Sequence, residues 1–429
     1  MNDKISESWD SCVKCGICRS VCPVFKEEKS EPFVARGHIT LIQELIKGNL
    51  NFSDKLSKEY LGKCLLCTTC VESCPNNAHT DLAVITARTF VNKIHGVPLY
   101  KKIMAQVMSQ RKVLDLSVRM GNMFSSFMFK TVENVPRKGV NVRMKNPIVE
   151  KDRLLLPISK RTFLNKYPES INGKNSKKVA VFIGCAVNYS YTEVGDALIN
   201  ILKTLNIEVI IPKNQVCCGG PIYYAGMIDK AEKLAKKNIE LFEKIEADAI
   251  LIPEPTCATA IKVEYPRIFE YFSNNKYLEK AKKLSERVRD PSDYFYNDTD
   301  LINILKNKKL KKEHSVTYHD SCHLNRSLGI KQEPRELLKA IENLNFIEMK
   351  DADRCCGNGG TFSVDFRETS LKIGKRKAQN IINSTADTVV TGCSGCMMQI
   401  AEALNIENSK ISVKHTIEVI DKALRGEDL

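Results

Sequence analysis

The chain holds a single tryptophan in 429 residues and no apolar run long enough to cross a bilayer, so no spanning helix is expected. Residues 1–10 lack a basic stretch followed by an apolar one, which speaks against a secretory leader and for a cytoplasmic chain. No G-x-G-x-x-G run follows a predicted strand and opens a helix, so no flavin or nicotinamide site is visible. A Walker A run is also missing, and no nucleophile–base arrangement stands out among the serines and the seven scattered histidines. What the chain does have is cysteine, 17 in all. In a chain that is not exported these stay reduced, so they read as metal ligands rather than as a disulfide framework. The apolar share of 43% and charged share of 27% are those of a globular protein and exclude a mostly disordered one. The length allows roughly two to four domains.

The net charge of +14 is localised. Residues 101–178 carry 18 Lys/Arg against 5 Asp/Glu, a net of +13. Without a base-reading fold or aromatic platforms to accompany it, this charge does not point to nucleic acid. Two readings stay open: a face for an acidic partner or anionic lipid head groups, and a solvated, lysine-rich linker. Within the same stretch Met104 and Met108 share one helical face, and Met120, Met123 and Phe127 share another. Core or subunit packing is the expectation for these faces, with peripheral membrane contact as the alternative.

The predicted fold class is a multidomain α+β protein. Residues 1–95 form a helical domain with eight cysteines in two clusters, around a helix predicted over 37–47. Residues 96–176 form a basic, methionine-rich connector without cysteine, helical and then loop-like. Residues 177–290 and 291–429 read as two repeated α/β modules. The first has strands over 179–183, 208–211 and 249–252, with helices over 192–205 and 229–245. The second has strands over 315–318, 345–349 and 387–391, with helices over 335–342 and 368–382. Cys185 to Cys322 and Cys217 to Cys355 are offset by 137 and 138 residues, which marks an internal repeat. Alternating short strands and helices imply mainly parallel sheets. The cysteines follow strands, at the carboxyl edge where such sheets hold ligands.

Cys12, Cys15, Cys18 and Cys22 precede Pro23, and Cys64, Cys67, Cys70 and Cys74 precede Pro75. Both runs have the C-x2-C-x2-C-x3-C-P spacing of two-cluster bacterial ferredoxins. Three closely spaced thiolates wrap one cube, and the fourth is carried to the other. Cys12, Cys15, Cys18 and Cys74 are therefore assigned to one 4Fe-4S cluster, and Cys64, Cys67, Cys70 and Cys22 to the second. Structural zinc sites use two pairs of ligands and fit two complete four-cysteine runs poorly.

Each module carries an adjacent cysteine pair, a poor ordinary disulfide but suited to neighbouring irons. The first reads Cys185, Cys217, Cys218, Glu254 and Cys257; the second Cys322, Cys355, Cys356, Cys393 and Cys396. Gly219-Gly220 and Gly357-Asn358-Gly359-Gly360 allow close backbone approach and amides aimed at sulfur. His319 and His323 flank Cys322 and read as satisfied loop histidines, with tuning of the site as the alternative; His415 and Asp421 read as core-edge positions.

With these motifs in place the chain resembles the CCG-domain iron–sulfur proteins over nearly its full length. These include the iron–sulfur subunits of glycolate and D-lactate oxidases, the iron–sulfur subunit of anaerobic glycerol-3-phosphate dehydrogenase, and the CCG-bearing subunit of heterodisulfide reductase. His319 to Leu324, Glu333 to Leu338, Arg354 to Phe362 and Gly392 to Ile400 are most similar to the glycolate/lactate branch. Gly184-Cys185 through Asn188-Tyr189 to Glu264-Tyr265-Pro266 also resembles the glycerol-3-phosphate branch. The family pattern has C-x-x-C at the end of each module, and here Glu254 replaces the first of these in the first copy. Carboxylate is a harder ligand than thiolate. The second module is thus expected to hold a third 4Fe-4S cluster, and the first keeps four thiolates that could hold a fourth.

The resemblance implies an electron-transfer subunit that takes electrons from a flavoprotein dehydrogenase acting on glycolate or D-lactate and passes them toward quinone or another acceptor. It implies no flavin on this chain, and a cytoplasmic location with peripheral contact at the inner membrane face as an option. The rivals are a catalytic subunit like that of heterodisulfide reductase, an electron carrier like that of anaerobic glycerol-3-phosphate dehydrogenase, and a zinc-stapled interaction protein.

Overall fold

A computed structural model of the chain describes residues 10–51, 59–143, 150–151 and 153–429. The stretch read for a secretory leader therefore lies almost wholly outside the described residues. None of the described helices is long and apolar enough to cross a membrane.

The N-terminal region is helical, as the spacing implied. Its cysteine loops are carried by the helices Ile17–Val21, Pro23–Glu28, Ala35–Ile46, Thr69–Glu72 and Thr80–His95. Pro23 sits at the first turn after Cys22, where a fixed φ and a missing N–H are harmless. Ile39, Ile42 and Leu45 recur on one face of Ala35–Ile46 and bury against Leu61, Ala83 and Ala87.

The connector differs from expectation in two ways. It forms the helices Leu99–Ser109, Arg111–Met123 and Ser125–Met128, but then an antiparallel hairpin of β1 (Phe129–Val132) and β2 (Gly139–Val142). Met108 packs against the first module's core. The second stripe does not pack on the described residues of this chain: Met123 and Phe127 are each 71% exposed, and Arg111–Met123 buries no residue. An own-core role for Met120, Met123 and Phe127 is thereby overturned.

The two modules repeat one topology. The first sheet contains β3 (Ser170–Ile171), β4 (Lys178–Val181), β5 (Glu208–Ile210), β6 (Ala249–Leu251) and β7 (Val288–Arg289), in the order β3-β5-β4-β6-β7. All pairings are parallel except that of β3, an edge strand drawn from the end of the connector. The second sheet contains β8 (Lys309–Tyr318), β9 (Glu342–Phe346), β10 (Thr388–Thr391) and β11 (Ser412–His415), ordered β11-β10-β8-β9 and wholly parallel. In each module the first strand lies between the second and the third. That reversal of strand order creates a crevice at the carboxyl ends of the first and third strands. Central strands such as Val179-Ala180-Val181 are fully buried on both faces, the signature of a covered parallel sheet. β9 begins earlier than expected, because the helix Glu333–Lys339, started by Pro334, ends before Glu342.

One apolar core is shared by the two modules. Val179, Leu198 and Ile201 of the first join Val389, Leu404 and Ile417 of the second. The Arg137 guanidinium ties the connector across this seam, donating to both carboxylate oxygens of Glu418 at 2.8 and 3.0 Å and to Glu193 at 2.9 Å. His415 caps the helix Thr416–Arg425 in a reciprocal capping box with Glu418, consistent with a structural role.

Asp290 caps the helix Pro291–Asn297, accepting from the Ser292 N–H at 2.8 Å. Burial pushes its carboxyl up to about 7. The folded chain therefore holds a proton that the unfolded chain has already released, and stability falls as pH rises from about 4 toward 7. Asp290→Asn keeps the cap acceptor without the ionisation. Its stability advantage should be near zero at about pH 4 and reach a few kcal/mol above about pH 7. Thermal unfolding of both proteins across that range checks this; a pH-independent difference would refute it.

Candidate metal centres

The 17 cysteines are all free thiols, and they fall into four groups. Cys12, Cys15, Cys18 and Cys74 line one small cavity, together with Cys70. Cys22, Cys64, Cys67 and Cys70 line a second. The fourth cysteine of each run thus faces the other run's cavity, as the ferredoxin spacing implies. Backbone amides point at the sulfurs: Phe25 N–H at Cys22 (3.4 Å), Leu66 N–H at Cys64 (3.5 Å) and Ala78 N–H at Cys74 (3.4 Å). Lys14, Leu66 and Thr68 adopt positive φ, which turns the loops tightly around each cavity. Burial pushes the Cys22 thiol up to about 12 and the Cys67 thiol up to about 11. Bare thiolates are thus costly here, and a bound cation is what would make them favourable.

In the second module Cys322 follows β8 and Cys393 follows β10, at the crevice between the first and third strands. Cys355 lies beside Cys322 and Cys356, and both act on its thiol. Cys356 and Cys396 approach to 3.5 Å between sulfurs, and Cys396 contacts Cys393. All five thiols therefore form one continuous chain of contacts. The Gly357 N–H points at Cys355 Sγ from 3.4 Å. Gly357 has φ +94°, and a Cβ there would lie 2.7 Å from the Ser370 carbonyl oxygen, so only glycine fits this turn. The hydrogen bond with Cys396 draws the Cys393 thiol down to about 7. The buried Lys377 ammonium donates to the Asp351 and Ala352 carbonyls, and burial lowers it to about 8.

The first module repeats the pattern with four thiols. Cys217 contacts Cys185 and Cys218, and Cys218 contacts Cys257. Glu254, at the position of the missing cysteine, is buried, and its carboxylate accepts from the Ser394 hydroxyl of the second module. Burial, with Cys393 adding to it, holds this carboxyl well above the usual carboxylate range. Glu254 thus ties the first module to the second through Ser394. Close by, Thr256 Oγ1 and His323 Nδ1 share a hydrogen bond of 3.1 Å, and the His323 ring stacks on Tyr224 at 5.5 Å. His323 is accordingly satisfied, as the sequence suggested.

The second N-terminal cavity abuts the second module. Cys67 and Cys355 are buried in the same apolar cluster, with Cys22 and Cys322 packed against it. A Cβ on Gly359 would lie 2.5 Å from the Leu65 side chain, so the two cysteine loops touch there. Arg326 lies at this junction, donating to Glu72 at 2.8 Å and to Asp353 at 2.8 and 3.1 Å. Its charge acts on Cys67, Cys322 and Cys355. On the other side, Arg88 donates to the carbonyls of Leu61, Gly62 and Cys64 and to that of Tyr224 in the first module. Sequence reasoning missed Arg88, Arg326, Lys377 and Ser394, because each acts through distant partners that leave no local motif. His319 was singled out but read as satisfied. Its Nδ1 does bond to the Ala352 carbonyl at 3.2 Å, but its Nε2 is buried without a partner among the described residues.

The donor set fits iron–sulfur chemistry: soft sulfur ligands, no disulfide, glycine loops and amides directed at sulfur. Residues 179–262 and 316–401 match the cysteine-rich domain family CCG, and residues 8–78 match the 4Fe-4S dicluster domain family. These stretches contain all 17 cysteines. An uncharacterized iron–sulfur protein of Methanococcus maripaludis is 28% identical over 420 residues, covering 96% of this chain and 71% of the relative. Lactate utilization protein A of Geobacillus is 34% identical over 246 residues, covering 57% of this chain and 99% of the relative. Its Bacillus subtilis counterpart is 32% identical over 244 residues, with the same 57% and 99% coverage. A crystal structure of a hypothetical protein from Helicobacter pylori is similar in fold, with a TM-score of 0.53 at 11% identity, covering 99% of this chain and 73% of that one.

Proposed function

This chain belongs to the CCG-domain iron–sulfur protein family that includes lactate utilization protein A, and from that premise we propose that it is the electron-transfer subunit of a 2-hydroxy-acid dehydrogenase of the D-lactate or glycolate type. A flavoprotein partner would oxidise the hydroxy acid, and a quinone or another acceptor would receive the electrons. When bound, the clusters would supply single-electron steps between the two.

Cys12, Cys15, Cys18 and Cys74 would hold one 4Fe-4S cluster, and Cys22, Cys64, Cys67 and Cys70 the second. Cys322, Cys355, Cys356, Cys393 and Cys396 would hold a third. Cys185, Cys217, Cys218 and Cys257 offer four thiolates for a fourth, with Glu254 turned away to Ser394. The observation that carries the reading is the continuity of these groups. The two N-terminal cavities share the Cys70 wall, and Cys67 of the second cavity packs against Cys355 of the second module. Cys70 thus joins the two cavities, and the Cys67–Cys355 contact joins them to the second module. The exposed Met120–Phe127 face, set among basic residues, would serve as the docking surface for the partner or for a membrane surface.

Anaerobically purified protein should be brown and carry about twelve to sixteen irons with matching acid-labile sulfide. Zinc without iron would end the reading. Cys393→Ser should abolish one EPR signal and leave the two ferredoxin-type signals in place; loss of all three together would contradict separate sites. Copurification with a hydroxy-acid-oxidising flavoprotein supports the subunit role, whereas thiol–disulfide turnover by the isolated chain would favour a reductase.

A further inference from the structure

We propose that His319 is a direct metal ligand in the second module, binding through Nε2 the same metal that Cys356 and Cys396 hold. This rests on the cluster reading above but goes beyond its all-cysteine ligand set.

Three observations converge. A ring nitrogen of His319 and the sulfurs of Cys356 and Cys396 all lie within 4.8 Å of one another, and all three residues are buried. The two sulfurs are 3.5 Å apart. Thiolates bound to one tetrahedral metal at about 2.3 Å are separated by slightly more than this, so the pair needs little movement to share an ion.

The tautomer of the ring supplies the second point. His319 Nδ1 lies 3.2 Å from the Ala352 carbonyl oxygen. A carbonyl can only accept, so Nδ1 carries the proton and Nε2 keeps a lone pair. A ring N–H held by a backbone carbonyl is the usual support of a histidine that binds metal through its other nitrogen.

The third point is that this lone pair has nowhere else to go. His319 is 1% exposed, and among the described residues Nε2 has no hydrogen-bond partner. A buried polar atom without a partner is destabilising, and a metal at the Cys356–Cys396 pair would satisfy it. The ring is also held in place. Its neighbour Asp320 is clamped by Arg335 at 2.7 and 2.8 Å, and the Asp320 N–H donates to the same Ala352 carbonyl at 3.1 Å. The first module has no equivalent: Phe182, Ile183 and Gly184 precede Cys185, and none can offer nitrogen from a side chain. A neutral imidazole in place of a thiolate raises the potential of an iron–sulfur centre. The assignment therefore sets the potential of this centre above that of the same centre with a thiolate at position 319.

The test uses the full chain, purified anaerobically, with histidine labelled in nitrogen-15. Pulsed EPR on the signal that Cys393→Ser abolishes should show the strong coupling of a bound imidazole nitrogen, changing with the isotope. His319→Gln should remove that coupling while both ferredoxin-type signals persist. His319→Cys should retain the iron, lose the nitrogen coupling and shift the midpoint potential of this centre downward. Labelled wild-type protein decides the matter even where a variant does not fold. Only weak nitrogen coupling in the wild type, or coupling that survives His319→Gln, overturns the assignment. Failure of the underlying cluster reading looks different: the wild type would lack the signal and hold about eight irons, and the imidazole assignment would fall with it.

Discussion

Arg326→Met is expected to shift the midpoint potentials of two of the proposed centres downward at once, the one at Cys67 and the one at Cys322 and Cys355. The guanidinium is 1% exposed and lies where the N-terminal loop meets the second module. Its charge acts on the thiols of all three cysteines. A buried cation favours the reduced, more negative form of any centre beside it, so its removal makes both harder to reduce. At an effective dielectric of about 20 the shift is on the order of tens of millivolts for each. Its hydrogen bonds to Glu72 and Asp353 also disappear, which loosens the junction and should slow electron passage between the two centres. EPR-monitored redox titration measures both potentials together. Two unchanged midpoints, or a shift in only one of them, would show that the arginine does not act on both.

Arg335→Met should produce the largest loss of stability. Arg335 grips Asp320 with two hydrogen bonds of 2.7 and 2.8 Å and Glu348 with two of 2.8 Å. Asp320 is 2% exposed and belongs to the loop that carries His319 and Cys322. Methionine leaves this carboxylate buried and unpaired, at a cost of about 3–5 kcal/mol. Adding Asp320→Asn removes the stranded charge and should restore a good part of the loss. Thermal unfolding of the single and double variants measures this. A single variant within about 0.5 kcal/mol of wild type would mean that water already relieves the pair.

Much of the architecture was legible because the repeat and the chemistry constrain each other. The strand beginning at Val179 is a run of apolar residues, that at Thr388 centres on Val389-Val390, and the cysteine offsets pair the modules without recourse to propensity. The crossed partnership of Cys22 and Cys74 followed from spacing. Short or weakly patterned elements did not show. β3 and β7 have two residues each and exist through their neighbours' pairing. The β1–β2 hairpin closes around Pro136 without an Asn-Gly or Asp-Gly turn to announce it. Glu254 read as a defective ligand, because nothing near it in sequence reveals Ser394, 140 positions away and opposite it in space. His319 escaped for a similar reason: Ala352, which sets its tautomer, comes from a different loop.

The crossing of Cys22 and Cys74 also sets an order of events during synthesis. The cavity around Cys12, Cys15 and Cys18 lacks a wall until Cys74 has left the ribosome and the helix Thr80–His95 has folded down over it. The second cavity waits in turn for Cys22 to be held by its own helix. Neither is complete while the nascent chain is short, so clusters held as proposed would be loaded into a largely finished N-terminal region, both within one window of its maturation.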